Sequence, residues 1–247
     1  DMAAERVDDA WTEIRRRHSW IRDGSPLIVD KRRITRLKTW KAVPAHSFCL
    51  LLSLAQWYKG WAGQFGSNYM EQGELFEELT KESLLVQFEG WQAIRTGCSS
   101  THRKNLGGLV DQIASSLGES RGNVEKWTSD EAKDGELDLV CYRPFLDARV
   151  GIPVFLMQCA SGADWDQKLH TPRLEVWTKI INWASRPKKG FALPLALDDS
   201  AFVAKCNLVD GLLLDRYRIL AAGACKRNWL SSTLRKRLIT WSKPRVQ

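Results

Sequence analysis

Three side chains with oxygen donors stand out by type and by place: Glu77, Asp138 and Gln158. Asp138 follows the acidic turn Asp134-Gly135-Glu136 and lies in an apolar stretch, 137–142, that reads as a strand. Gln158 lies near the end of a second apolar stretch, 152–159, reached through a turn at 144–149. Glu77 belongs to an amphipathic helical segment, about 72–88, with Leu75, Phe76, Leu79, Leu84 and Leu85 as its apolar positions. Side chains alternate along a strand, so residues at strand ends can converge on one edge of a sheet. Two carboxylates and an amide meeting there offer the hard oxygen ligands that Mg²⁺ accepts, with water in the remaining positions. An ion held in this way activates water and stabilises a phosphoryl transition state. Plainer roles exist for each residue. Asp138 could end a turn, and Glu77 could be a favourable charge in the first turn of its helix. Gln158 is harder to explain by packing, because a buried amide needs partners.

The elements that must position these residues follow from periodicity and breakers. Residues 8–22 alternate apolar and charged positions at helical spacing, and 23–26 form a turn. A basic segment, 31–41, precedes Pro44 and a helix over about 45–61 that is apolar all round and so expected to be buried. After the helix at 72–88 come an extended piece at 91–95 and a helix at about 105–118 with Leu106, Leu109, Val110, Ile113 and Leu117 on one face. A polar loop, 118–133, leads to the two strands. The second strand is almost continuously apolar, as a strand buried on both faces would be. A helix over about 164–184, with Asp164 as its N-cap and Trp165 as a packing anchor, is expected next. Then come a strand at 191–197, a short helix near 200–206, a strand at 212–219 and a basic helix at about 228–241. Strands alternating with helices predict a mixed α/β (α+β) fold with a helical N-terminal section.

The chain has 247 residues, 44% of them apolar and 27% charged, which excludes a disordered or collagen-like chain. The longest apolar run, 48–55, is far too short to cross a bilayer. The first residues lack the basic and apolar regions of a signal peptide. Starting at Asp1 rather than Met suggests that the chain was processed, trimmed or is a fragment. The six cysteines form no CxxC or CxxH pair, which argues against a zinc ribbon or finger. With no signal peptide they are expected to be reduced, in a cytoplasmic protein. Most of the 12 tryptophans, such as Trp57 and Trp61, or Trp177 and Trp183, fall among apolar residues and read as core. The four histidines are scattered and supply no metal-ligand spacing.

Three words carry a family resemblance: Leu75-Phe76-Glu77-Glu78-Leu79, Gly135-Glu136-Leu137-Asp138-Leu139-Val140, and Val154-Phe155-Leu156-Met157-Gln158-Cys159-Ala160-Ser161-Gly162. Their order over about 72–220 resembles the restriction-endonuclease-like PD-(D/E)XK nucleases. The last two are also similar to bacterial antiphage-defence proteins with a D-(L/I)-V-x-x-R-P-F strand followed by Q-C-A-(S/T)-G-x-x-W. The resemblance implies a mixed central sheet flanked by helices over 72–247, with 1–71 as an accessory helical region. It implies a metal-dependent nuclease acting on DNA, with Mg²⁺ or Mn²⁺ held by Asp138, Gln158 and Glu77, and Glu78 or Glu74 as substitutes for the last. Asp134 and Glu136 are alternative ligands. The family's usual lysine is missing, since Ala160 stands at its position; Lys168, on the following element, is the substitute that would bring an ammonium to the scissile phosphate. The alternative is a catalytically inactive nucleic-acid-binding or assembly subunit of a defence complex.

The formal net charge of +8 suits a polyanionic partner. Basic clusters occur at 15–17, at 31–41, and at Lys226-Arg227 with Arg235-Lys236-Arg237. Basic side chains near phosphates release counterions and give affinity without sequence choice. Arg143, Lys188, Lys189, Arg235, Lys236 and Arg237 are the candidate nucleic-acid contacts, with Lys188 and Lys189 read as a loop. DNA is expected over RNA. A protein partner and a homodimer are compatible with this reading, and a membrane partner is not expected.

Overall fold

Apolar side chains on both faces make 154–159 the natural centre of a sheet, and the fold uses it so. The computed structural model describes residues 2–66, 69–97, 106–127 and 135–246. Helix α1 (Met2–Ile21) leads to a hairpin of β1 (Leu27–Asp30) and β2 (Arg33–Arg36). Next come α2 (Pro44–Ala55), α3 (Trp61–Phe65), α4 (Met70–Gln87), β3 (Gln92–Arg95), α5 (Leu106–Leu117), the short β4 (Ser120–Arg121) and α6 (Val124–Trp127). They are followed by β5 (Leu139–Tyr142), β6 (Val154–Cys159), α7 (Leu174–Ile180), β7 (Ile181–Asn182), β8 (Lys188–Ala192), α8 (Asp199–Val209) and β9 (Gly211–Leu214). Helices α9 (Arg216–Leu220), α10 (Ala222–Cys225) and α11 (Ser232–Ser242) complete the order.

The main sheet runs β3-β5-β6-β8-β9. Its first three strands are antiparallel, and β8 and β9 then add in parallel to β6. The fold is therefore mixed α/β, with a mixed five-stranded sheet flanked by helices and a helical N-terminal section. On one face Met157 and Cys159 of β6 join a core with Phe48 of α2, Leu75 and Leu79 of α4, and Leu238 and Trp241 of α11. On the other face Leu156 joins Leu109, Val110 and Ile113 of α5 and the fully buried Trp177 of α7. The apolar stripe expected on α5 is buried at all five named positions. Phe48 and Trp241 meet edge to face at 4.9 Å, tying 2 helices that are almost 200 positions apart in sequence.

Several expected elements differ. In place of one helix over 164–184 there is a 3₁₀ turn at Trp165–Lys168, then the cis Thr171-Pro172 bond, then α7. Pro172 disfavours helix at the residue before it, although Leu169, Leu174 and Trp177 stay buried or half-buried. Asp164 precedes the 3₁₀ turn without making a side-chain cap. The strand expected at 191–197 begins earlier, so Lys188 and Lys189 are strand residues of β8 and not a loop. The strand expected at 212–219 stops at Leu214, because the Asp215 carboxylate accepts from Arg218 N and caps α9. The helix expected over 45–61 ends at Ala55, where the amides of Trp57 and Tyr58 both turn back to the Leu54 carbonyl. Trp57 is consequently 82% exposed rather than core.

Candidate functional site

Asp138 and Gln158 are cross-strand neighbours, one step beyond the Leu139–Met157 pair of the β5–β6 register. Asp138 sits just ahead of β5, and its backbone N–H donates to Met157 O at 2.9 Å. This register alone brings the amide to the carboxylate: Gln158 Nε2 donates to Asp138 Oδ2 at 2.6 Å. The backbone N–H of Cys159 donates to the same oxygen, also at 2.6 Å. Thr171, on the segment after the 3₁₀ turn, donates through Oγ1 to Gln158 Oε1 at 3.3 Å and to Lys168 O at 2.7 Å. Asp138 is only 8% exposed.

Glu77 reaches the same neighbourhood from α4 and is 7% exposed. The backbone of Thr96 and Gly97 donates to Asp138 O, at 2.8 and 3.3 Å. A Cβ built on Gly97 would stand 2.5 Å from both carboxylate oxygens of Glu77, so Gly97 leaves room for that carboxylate beside the Asp138 backbone. Arg95 of β3 places NH1 3.5 Å from Glu77 Oε2. The thiol of Cys159 registers both acids. Burial foremost, then the charges of Asp138 and Glu77, push its pKa well above the ordinary range. The structure thus joins Asp138 to Gln158 and sets the Glu77 carboxylate at Gly97, beside the Asp138 backbone.

The remaining expected residues lie as follows. Lys168 has its Nζ 3.2 Å from Asp164, on the surface, while its carbonyl holds Thr171. Ala160 is buried with Leu169 and Phe191. Glu74 and Glu78 face Arg237, which donates to Glu78 at 2.7 Å and lies 3.5 Å from Glu74. Glu136 lies 3.8 Å from Arg173, and Asp134 falls outside the described residues. Arg143 donates to Glu89 O and packs on Gly90, which ties the end of β5 to the turn after α4. Lys189 is half-buried and donates to Leu169 O at 3.1 Å, and desolvation leads the lowering of its pKa. Lys188 and Lys236 are exposed. Arg235 donates to the carbonyls of Lys41 and Ala42. The five described cysteines are free thiols; Cys98 lies outside the described residues.

Sequence reading missed Thr171, Arg95, Gly97 and the Cys159 amide. None has a local signal, because each acts through a partner on another element. Among the described residues no three His, Cys, Asp or Glu side chains come together as a metal site. The constellation instead has two carboxylates and an amide, all hard oxygen donors of the class that Mg²⁺ and Mn²⁺ accept. The donor set fits such an ion. In this structure the Gln158 amide has its nitrogen on Asp138 and its oxygen on Thr171. Compared with models of protein families, with curated proteins and with solved structures, the chain matches none of them.

Proposed function

We propose that the chain is a metal-dependent nuclease that hydrolyses phosphodiester bonds, acting on DNA in prokaryotic antiphage defence. The observation that carries the reading is the Asp138–Gln158 hydrogen bond across two neighbouring strands, with the Glu77 carboxylate of the preceding helix at Gly97, whose N–H reaches Asp138 O. The resemblance in their surrounding words supports it, as does the net charge of +8. Glu77, Asp138 and Gln158 would hold the divalent ion, which supplies a Lewis acid and an activated water. The protein's own part is positional. The Cys159 amide and Gln158 fix the Asp138 carboxylate, Gly97 admits Glu77, and Thr171 sets the angle of the Gln158 amide. Fixed groups of this kind need no reorganisation as charge develops on a phosphate. Lys168 has no assigned role, because its ammonium is engaged by Asp164.

A second reading, a nucleic-acid-binding module without catalysis, is favoured by one observation: the family's lysine position holds the buried Ala160. Plasmid and single-stranded DNA incubated with Mg²⁺ or Mn²⁺ separate the two. Cleavage by the wild type and by Lys168→Met, lost in Asp138→Asn and Glu77→Gln, supports the nuclease. DNA binding without cleavage by any of the four proteins supports the module instead.

A further inference from the structure

A cleft lies away from the carboxylates. It has a volume of about 780 Å³ and opens between the segment after β2, the start of α2 and the start of α11. Its lining includes Lys38, Arg227 and Arg235, together with Trp229 and His46, and contains no Asp or Glu. The segments that build it belong to two of the basic clusters seen in the sequence, 31–41 and 226–237, which are almost 190 positions apart. Arg235 is fixed at the rim by the carbonyls of Lys41 and Ala42. Arg227 is exposed and makes no ion pair among the described residues. The amino ends of α2 and α11, at Pro44 and Ser232, also open here, and their dipoles carry the same sign as the side chains.

We propose that this cleft grips the phosphodiester backbone of a single nucleic-acid strand and stacks a base on Trp229. The proposal rests on the nucleic-acid reading above and gives part of region 1–71 a task, since one wall of the cleft is 37–46. A groove that joins cations to an aromatic ring is how sequence-tolerant strand binding is built: the cations track phosphates and the ring takes any base by its face. Helix α11 then leads from the cleft toward the candidate site. The Ser231 amide donates to Glu82 Oε2 at 2.8 Å, and two turns on, Arg237 donates to Glu78 at 2.7 Å, beside Glu77. Arg237 is thereby neutralised by the carboxylates of α4, so the grip belongs to the cleft's own Arg227 and Arg235.

The test is fluorescence anisotropy of a labelled single-stranded oligonucleotide, in EDTA so that cleavage is suppressed, between roughly 50 and 200 mM NaCl. The wild type should bind. Arg227→Glu should lose about tenfold in affinity, and the slope of log K against log salt should shrink by roughly 0.7–1 for the phosphate contact removed. Arg227→Lys should restore most of the binding, and Trp229→Leu should weaken it with the salt slope unchanged. Asp138→Asn should bind like the wild type while failing to cleave in Mg²⁺, which separates grip from chemistry. If Arg227→Glu and Arg235→Gln bind as the wild type does, the cleft proposal is overturned and the nuclease stands. If the wild type binds no strand, the cleft proposal is overturned, and the nuclease reading is decided by the cleavage assay. Tighter binding of the same sequence as a duplex overturns the choice of a single strand.

Discussion

Removing the Asp138 carboxylate should destabilise the protein by an amount that can be worked from its partners. Its Oδ2 accepts two hydrogen bonds of 2.6 Å, from Gln158 Nε2 and from Cys159 N–H, in a place where Asp138 is 8% exposed. Hydrogen bonds to a charged group contribute about 1.5–3 kcal/mol each, and a buried donor left without a partner bears its full desolvation cost. Asp138→Ala should therefore cost about 3–6 kcal/mol. At roughly 2–4 °C per kcal/mol for a chain of this size, Tm should fall by about 6–24 °C. Asp138→Asn retains one acceptor for one of the two donors and should cost about half as much. Adding Gln158→Leu to Asp138→Ala removes one orphaned donor, so the double variant should recover about 1–2 kcal/mol. The assay is thermal unfolding followed by circular dichroism, with urea titration for the free energies. A loss below about 1 kcal/mol in Asp138→Ala, or strict additivity with Gln158→Leu, would refute the hydrogen-bonded arrangement. The result bears on every activity assay, since Asp138→Ala can lose cleavage by unfolding. Asp138→Asn is the informative variant.

Two further outcomes are expected. Gly97→Ala places a methyl 2.5 Å from both Glu77 oxygens, so the carboxylate must move; cleavage should fall by about tenfold or more while Tm changes by only a few degrees, and cleavage at the wild-type rate would show that the position of Glu77 does not matter. His46 has its pKa pushed down to about 4 by burial and by Arg216. The unfolded chain then binds the extra proton between about pH 6.5 and 4, so stability is fully present above 6.5 and falls by about 3 kcal/mol as pH drops through that window. Urea midpoints at pH 7 and 4.5 should differ more in the wild type than in His46→Gln, and an equal difference refutes the assignment.

Much of the sheet was legible because its signals are local. The almost continuous apolar run of β6 and the single-faced α5 state their burial directly. The nearness of Asp138 and Gln158 was legible as well, since they lie at the same end of two strands joined by one turn, but the register that pairs them, with Tyr142 opposite Val154, was not. The stretch 164–184 misled because its apolar spacing continues across Pro172, where the helix does not. Lys188 and Lys189 misled because charge suggests a loop, whereas a lysine in a strand can bury its stem and send its ammonium to a carbonyl, as Lys189 does at Leu169. Arg95 beside Glu77, Thr171 beside Gln158, and the cleft between 37–46 and 227–235 are products of packing between distant segments. No periodicity or motif in the sequence links the two sides of any of them.

Helix α11 acts as a clasp. Trp241 seats against Phe48 and near Trp61, Arg235 fastens the chain ahead of α2, and Arg237 fastens α4. Until it docks, a nascent chain has the apolar inner side of α2 open to water and the helix bearing Glu77 without its brace. Contacts that span so much of the chain also close late and slowly. The setting of α4 is thus tied to a segment synthesised long after Glu77, and a polypeptide cut short before Ser232 would keep the Asp138–Gln158 pair while α4 loses the Arg237 bridges to Glu74 and Glu78.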